Sequence, residues 1–357
     1  MKMEFVRGPA KLVVGGCANA PTPAPQIQGS AHIVGADLPG APKSVPPPRE
    51  GFPLLATAGA SSEGCMLADW ARATRALLDE KLEDSGAVLL QGLPLATAAD
   101  FSAFMAELGY EPMDYQGGAA ARHEVAPNVM TANDAGPDRS IPMHTEMAYS
   151  TTFPRRLFFF CEGAPGVGMG GETPIARTED WRRELGDDFI ERTRARGFSR
   201  RVTYPDTSSD PDAMQHGWRR HFQTEDRAEA EAVCRRRGFS YCWEDNGDLT
   251  MWNELSVTME HGGVQYWACM PQFSAPASST RYCYGDGSPI EDEVMQRFRT
   301  LQWKIAVAFQ WSRGDVLCID NITCQHGRLP FEPAADRRIL AALTGCTTRP
   351  PVQPRPG

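Results

Sequence analysis

Three side chains of this 357-residue chain have the types and placement to hold a metal ion: His144, Glu146 and His326. His144 and Glu146 stand two apart in Ile141-Pro142-Met143-His144-Thr145-Glu146-Met147-Ala148-Tyr149. In an extended chain that spacing sends both side chains to one side, where an imidazole and a carboxylate can meet one ion. An open metal site needs a third ligand. His326 follows the stretch from Trp311 to Asn321, which reads as a turn, a buried strand and a polar end. Two histidines and a carboxylate on one face of a metal leave three positions open, the donor set of non-haem Fe(II) oxygen chemistry. The same donors suit zinc, but catalytic zinc sites of this composition more often use His-Glu-x-x-His on a helix, a motif the chain lacks. The remaining histidines fit less well. His216 and His221 lie on a charged stretch, His261 precedes a Gly-Gly turn, His32 sits in a Pro-rich region, and His123 has no carboxylate in matching strand phase.

The elements that must position these ligands are mostly strands. Met66 to Leu82 has helical spacing, with Met66, Trp70, Ala73, Leu77 and Leu78 on one face. Ala87 to Gln91 reads as a buried strand stopped by Gly92. Thr97 caps a helix over Ala98 to Leu108 that Gly109 ends. Beyond residue 110, strands are expected at Leu157 to Glu162, Gly247 to Trp252, Gly263 to Met270, Trp311 to Asn321 and Arg337 to Thr344. Helices are expected at Trp181 to Arg196, Thr224 to Arg237 and Glu291 to Ala308. Many short strands without regular βα alternation predict a mainly β fold, a sandwich or double-stranded β-helix (jelly roll) with peripheral helices. Residues 1–50, rich in Ala, Pro and Gly, read as an unstructured leader; 51–346 form the domain, and 347–357 a Pro-rich tail.

Composition narrows the classes. Apolar residues make up 41% and charged residues 23%, which excludes a wholly disordered chain. No run of about 18 uninterrupted apolar residues exists, so no transmembrane helix and no membrane partner are expected. The net charge of −9 gives little of the phosphate attraction that drives nucleic-acid binding. None of the ten cysteines forms Cys-x-x-Cys, and no secretory signal opens the chain. Reduced thiols and a cytoplasmic location are expected. The Arg313-Gly314-Asp315 triplet feeds a buried strand, which argues against an adhesion role.

Two ordered motifs carry a family likeness. The run IPMHTEMAYSTTFPRRLFFFCEGAPGVGMGGETPIA, Ile141 to Ala176, resembles the core of the taurine dioxygenase (TauD/TfdA) superfamily in the pattern of its clavaminate-synthase-like branch, which includes syringomycin-biosynthesis-type amino-acid hydroxylases. The run WSRGDVLCIDNITCQHGRLPFEPAADRRILAALTG resembles the C-terminal signature of that branch. YGDGSPI, from Tyr284 to Ile290, and FQTEDRAEAEAVCRRRGFSYCW fit the segments between, so the likeness spans about 51–346. It implies Fe(II) on His144, Glu146 and His326, with 2-oxoglutarate and O2 as co-substrates. It implies that the Thr173 hydroxyl helps hold 2-oxoglutarate. It also implies that a basic residue of the last strand pairs with the distal carboxylate of that ligand, for which guanidinium suits better than ammonium. Arg337 and Arg338 are the candidates. Successive strand residues face opposite sides, so only one points inward. The likeness to members written R-K-I-L favours Arg337, whereas taurine dioxygenase aligned on the isoleucine favours Arg338, and Arg337 is the preferred of the two. Arg328 is expected either to brace the distal ligand loop or to sit at the substrate mouth.

The departures are as informative. Ala342 stands where taurine dioxygenases place a second arginine, which argues against sulfonate recognition by that route. The stretch Gln265-Tyr266-Trp267-Ala268-Cys269 lacks the asparagine of the branch. A glutamate ligand argues against a halogenase. The implied reaction hydroxylates an unactivated C–H of a small carboxylate or amino-acid-like substrate, free or tethered to a carrier protein, with succinate and CO2 as co-products. Arg122, Arg155 or Arg156 are candidates for a substrate carboxylate, and Tyr149, Trp252 and Trp267 for pocket walls. The competing reading is a non-catalytic jelly-roll binding protein.

Overall fold

The computed structural model describes residues 3–7, 10–59, 64–116, 118–120, 122–206, 217–269, 271–273 and 280–349. The chain opens with β1 (Met3–Arg7), β2 (Ala10–Val14) and β3 (Leu54–Ala58). Next come α1 (Leu67–Ser85), β4 (Ala87–Gln91) and α2 (Ala98–Leu108). Short β5 (Glu124–Ala126), β6 (Val129–Thr131) and β7 (Ile141–His144) lead to the long β8 (Thr152–Gly163) and to β9 (Ile175–Arg177). Then follow α3 (Thr178–Leu185), α4 (Asp187–Arg196), β10 (Phe198–Tyr204), α5 (Trp218–Phe222), α6 (Arg227–Arg237), β11 (Ser240–Trp243) and β12 (Leu249–Leu255). The hairpin β13 (Thr258–His261) and β14 (Val264–Trp267) precedes β15 (Thr280–Tyr284) and α7 (Asp292–Ile305). β16 (Val316–Asp320), β17 (Cys324–Arg328) and β18 (Arg338–Thr348) close the described chain.

The strands form a nine-stranded sheet in the order β1-β2-β3-β4-β16-β8-β18-β6-β5, a four-stranded sheet β11-β12-β10-β15, a three-stranded sheet β7-β17-β9 and the pair β13-β14. Pairing is antiparallel except between β3 and β4, which are parallel and joined across α1. The fold is thus mainly β, as expected. No helix among the described residues is long and apolar enough to cross a membrane.

The large sheet buries both faces. Phe158 and Phe160 of β8, Leu340 and Ala342 of β18, and Val316 and Cys318 of β16 join the core under α1 and α2. The alternate residues Leu157, Phe159, Cys161, Leu317, Ile319, Ile339 and Ala341 enter the second core cluster. Burial on both faces accounts for the unbroken apolar run Leu157-Phe158-Phe159-Phe160-Cys161.

Four expectations change. Residues 10–50 are not an unstructured leader: β2 pairs with β3, and Ile27, Ile33 and Val45 are buried in the core. The segment lacks periodicity because it packs as irregular chain. It docks its backbone on α7 and its flanks, where Trp303 Nε1 donates to Val34 O at 2.9 Å and Ala308 N to Pro46 O at 3.0 Å. Trp181 to Arg196 is two helices, because the chain breaks at Gly186, where φ is 83°. β16 starts only at Val316, since Ser312 to Asp315 make the turn. At the other end β18 continues to Thr348 and Arg349 is buried, while 350–357 lie outside the described residues.

Candidate metal centre

Strand pairing brings the distant histidine to the near one. β17 lies between β7 and β9, with His326 opposite His144, and the two rings stand 4.2 Å apart. The chain does not continue extended to Glu146. β7 ends at His144, and Met147 turns the chain with a left-handed φ of 55°. Glu146 reaches the histidines from that turn: its Oε2 lies 3.8 Å from Nε2 of both His144 and His326. One ligand atom from each of the three residues falls within 4.8 Å of the others, the sole such His/Cys/Asp/Glu group among the described residues.

The surroundings set each ligand up. His144 Nδ1 donates to Pro142 O at 2.9 Å, which leaves the Nε2 lone pair facing the centre. Burial first, and then the neighbouring His144, push the His326 pKa well below the usual value, so a neutral imidazole is presented. The Phe159 ring packs 5.0 Å from the His326 ring. Burial works to raise the pKa of Glu146, but the Arg122 guanidinium and the two imidazoles overcome it and hold the carboxyl well below the carboxylate range. Arg122 donates to Oε2 at 2.6 Å and the Tyr115 hydroxyl to Oε1 at 3.2 Å. Asn321 clamps the backbone: Glu146 N donates to its Oδ1 at 2.8 Å, and its Nδ2 donates to Glu146 O at 2.9 Å and Pro154 O at 2.8 Å. An ionised Glu146 carboxylate, a neutral His326 imidazole and the Nε2 of His144, aimed at one point, fit a divalent cation such as Fe(II).

Beside this centre lies an anion-ready cluster. Thr173 is buried, and its Oγ1 accepts from Trp311 Nε1 at 3.1 Å, which leaves the hydroxyl proton for another acceptor. Arg337 donates through Nε to Gly171 O at 2.6 Å. Gly171 is required there, since a Cβ on it would stand 2.5 Å from Arg337 Cδ. Burial first, then the charge of Arg328, lower the Arg337 pKa to about 9, so a bound carboxylate would relieve a cation that has no ion pair among the described residues. Arg338 goes the other way: its side chain is 58% exposed and pairs with Glu162 at 2.7 Å. Ala342 faces the helix-side core, and Ile339 and Ala341 on the opposite face bring no second cation.

The other candidates separate clearly. Arg122 is brought to the centre, but through Glu146. Tyr149 is buried on the ligand turn, and its hydroxyl accepts from Ala119 N. The guanidinium of Arg328 is committed, because its two terminal nitrogens bond Asn133 Oδ1 and the carbonyls of Ala135, Gly136 and Arg139. It braces loop 133–139. Arg155 pairs with Asp320 and Glu83, and Arg156 lies over Tyr110. Trp252 is on the surface with Arg201, and Trp267 packs in the core on Phe298. Tyr115, Asn321 and Trp311 carry site contacts to which sequence reasoning assigned no role. Asn321 and Trp311 stood inside the quoted C-terminal motif, whereas nothing local marked Tyr115.

A model of the taurine catabolism dioxygenase TauD, TfdA family matches residues 50–344. A clavaminate synthase-like protein of Arabidopsis thaliana is 34% identical over 281 residues, covering 74% of this chain and 83% of the relative. The dapdiamide synthesis protein DdaC of Enterobacter agglomerans is 27% identical over 286 residues, covering 74% and 84%. The structure of PvcB, an Fe, alpha-ketoglutarate dependent oxygenase from an isonitrile synthetic pathway, shares the fold at 17% identity with a TM-score of 0.51, covering 99% of both chains. With the His-Glu-His geometry and a family match over most of its length, the chain belongs to the TauD/TfdA family of Fe(II)- and 2-oxoglutarate-dependent dioxygenases.

Proposed function

We propose that the enzyme hydroxylates an unactivated C–H bond of a small carboxylate or amino-acid-like molecule, with iron held by His144, Glu146 and His326. The convergence of these three residues from two strands and a turn carries the proposal. Bound iron, 2-oxoglutarate and dioxygen supply the oxidising chemistry, with succinate and CO2 as co-products. The chain supplies the rest. The neutral His326 imidazole and the ionised Glu146 carboxylate offer lone pairs without a proton to displace, and the hydrogen bond from His144 Nδ1 to Pro142 O turns its Nε2 to the centre. Arg122 and Tyr115 occupy both oxygens of Glu146, fixing its plane. Arg337 and the Thr173 hydroxyl would take the carboxylates of 2-oxoglutarate, with Trp311 orienting the hydroxyl. The buried Phe159 ring, packed on His326, keeps water from that ligand.

The jelly-roll description belongs to the same proposal, supported by the three-stranded sheet that carries both histidines. So does a cytoplasmic location, supported by ten free thiols. The test is anaerobic Fe(II) titration followed by succinate release, comparing wild type with His144→Ala and Glu146→Ala. Undiminished iron binding and succinate release in both variants would end the proposal.

A further inference from the structure

We infer that a polar row laid across three strands, Asn253 on β12, Arg200 on β10 and Tyr282 on β15, anchors a free α-amino carboxylic acid as the primary substrate. Arg200 takes the carboxylate and Asn253 accepts a hydrogen bond from the amino group. The inference rests on the dioxygenase reading and names the substrate class for that same site.

β10 lies between β12 and β15, and its register sets Arg200 opposite Asn253 on one side and Tyr282 on the other. Residues directly opposite on antiparallel strands share a face. The next rows on that face are largely apolar: Val202 with Met251 and Thr280, and Phe198 with Leu255 and Tyr284. Arg200 is only 5% exposed. Its guanidinium lies 4.4 Å from the centre of the Tyr149 ring and hydrogen-bonds the hydroxyls of Tyr204 and Tyr282. Among the described residues no carboxylate pairs with it. Burial raises the pKa values of Tyr149, Tyr204 and Tyr282, so the phenols supply no negative charge at neutral pH.

A buried cation without an anion is costly, and a fold that retains one has a use for it. Arg122 and Arg237 answer their charge with the carboxylates of Glu146 and Asp114, and Arg328 and Arg349 are held by carbonyl oxygens, whereas the side-chain partners of Arg200 are neutral phenols. Asn253 adds the complementary group. Its Nδ2 donates to Tyr149 O, while its Oδ1 is buried with no hydrogen-bond partner among the described residues. Such an acceptor calls for a donor. Tyr149 ties this row to the metal centre, since it is three residues past Glu146, under Arg200 and bonded to Asn253. A thioester-tethered amino acid has no free carboxylate, so the row favours the free acid over the carrier-bound form.

The test uses the full-length protein loaded anaerobically with Fe(II) and 2-oxoglutarate. Calorimetric titration compares the proteinogenic L-amino acids, their primary amides and the corresponding acids lacking the amino group. At least one free amino acid is expected to bind, with its amide about 100-fold weaker. Arg200→Gln is expected to erase that preference and Arg200→Lys to restore part of it. Asn253→Leu is expected to remove the preference for the amino acid over its analogue without nitrogen. Unchanged 2-oxoglutarate affinity shows that each variant is folded. If Arg200→Gln does not fold, the comparison of acid with amide on wild type decides. Amides that bind as tightly as acids, or a panel without any binder, overturn the inference. Succinate release with the same panel separates the two readings. An amino acid that binds in preference to its amide yet triggers none sinks the dioxygenase reading and keeps the anchor. Acids and amides that trigger it equally sink the anchor alone.

Discussion

The two faces of β8 and its neighbours do different work. On the helix side, Phe158 and Phe160 meet Tyr110 and Phe101, with ring centres 6.1 and 5.0 Å apart, and α1 and α2 close over them. On the metal side, Phe159 meets His326, and the neighbouring ligand Glu146 pairs with the Arg122 guanidinium. One face is an apolar interface whose loss costs stability. The other buries charge and holds it in place with hydrogen bonds. The lesson is that the metal side spends burial on positioning, and its mutations should separate function from stability, whereas helix-side mutations should not.

The strongest break in that comparison comes from the metal side. Glu146→Ala is expected to abolish iron binding and substrate-dependent succinate release, read by metal analysis of the purified protein and by product assay. On the helix side, Phe160→Ala is expected to cost about 3–5 kcal/mol in chemical denaturation. The fraction still folded should bind iron normally, and weakened iron binding there would show that the faces are coupled. Arg337→Met should raise the 2-oxoglutarate KM about 100-fold, as expected when one partner of an enclosed charge pair is removed. Asn321→Ala sharpens the point. It removes no ligand, yet iron affinity should fall about 10- to 100-fold because the Glu146 backbone loses its clamp. The smallest effect is expected at Arg338→Ala: under about 1 kcal/mol of stability from an exposed ion pair, and no change in the 2-oxoglutarate KM.

Legibility followed locality. His144 and Glu146 were readable because they are two residues apart, and His326 because it ends a recognisable strand motif. The helices α1 and α2 were readable from apolar spacing and from the Thr97 cap, whose hydroxyl accepts from Asp100 N at 3.2 Å. Segment 10–50 was not, because its buried residues are single apolar side chains between prolines, with no period for a pattern to reveal. The role of Arg328 was open for a related reason: its acceptors are mostly backbone carbonyls of loop 133–139, which any sequence would supply.

From the sequence alone came the donor types, the family likeness and a mainly β architecture, because residue chemistry and short-range periodicity are written in order along the chain. The tertiary structure alone decided that Arg337 turns inward while Arg338 pairs with Glu162, across a register irregularity between Arg338 and Ile339. It alone joined Tyr115 and Arg122 to Glu146, and laid Asn253, Arg200 and Tyr282 in one row. These are contacts between residues far apart in the chain, set by strand register and turn geometry, and the energy that selects them belongs to the packed molecule and to no local segment.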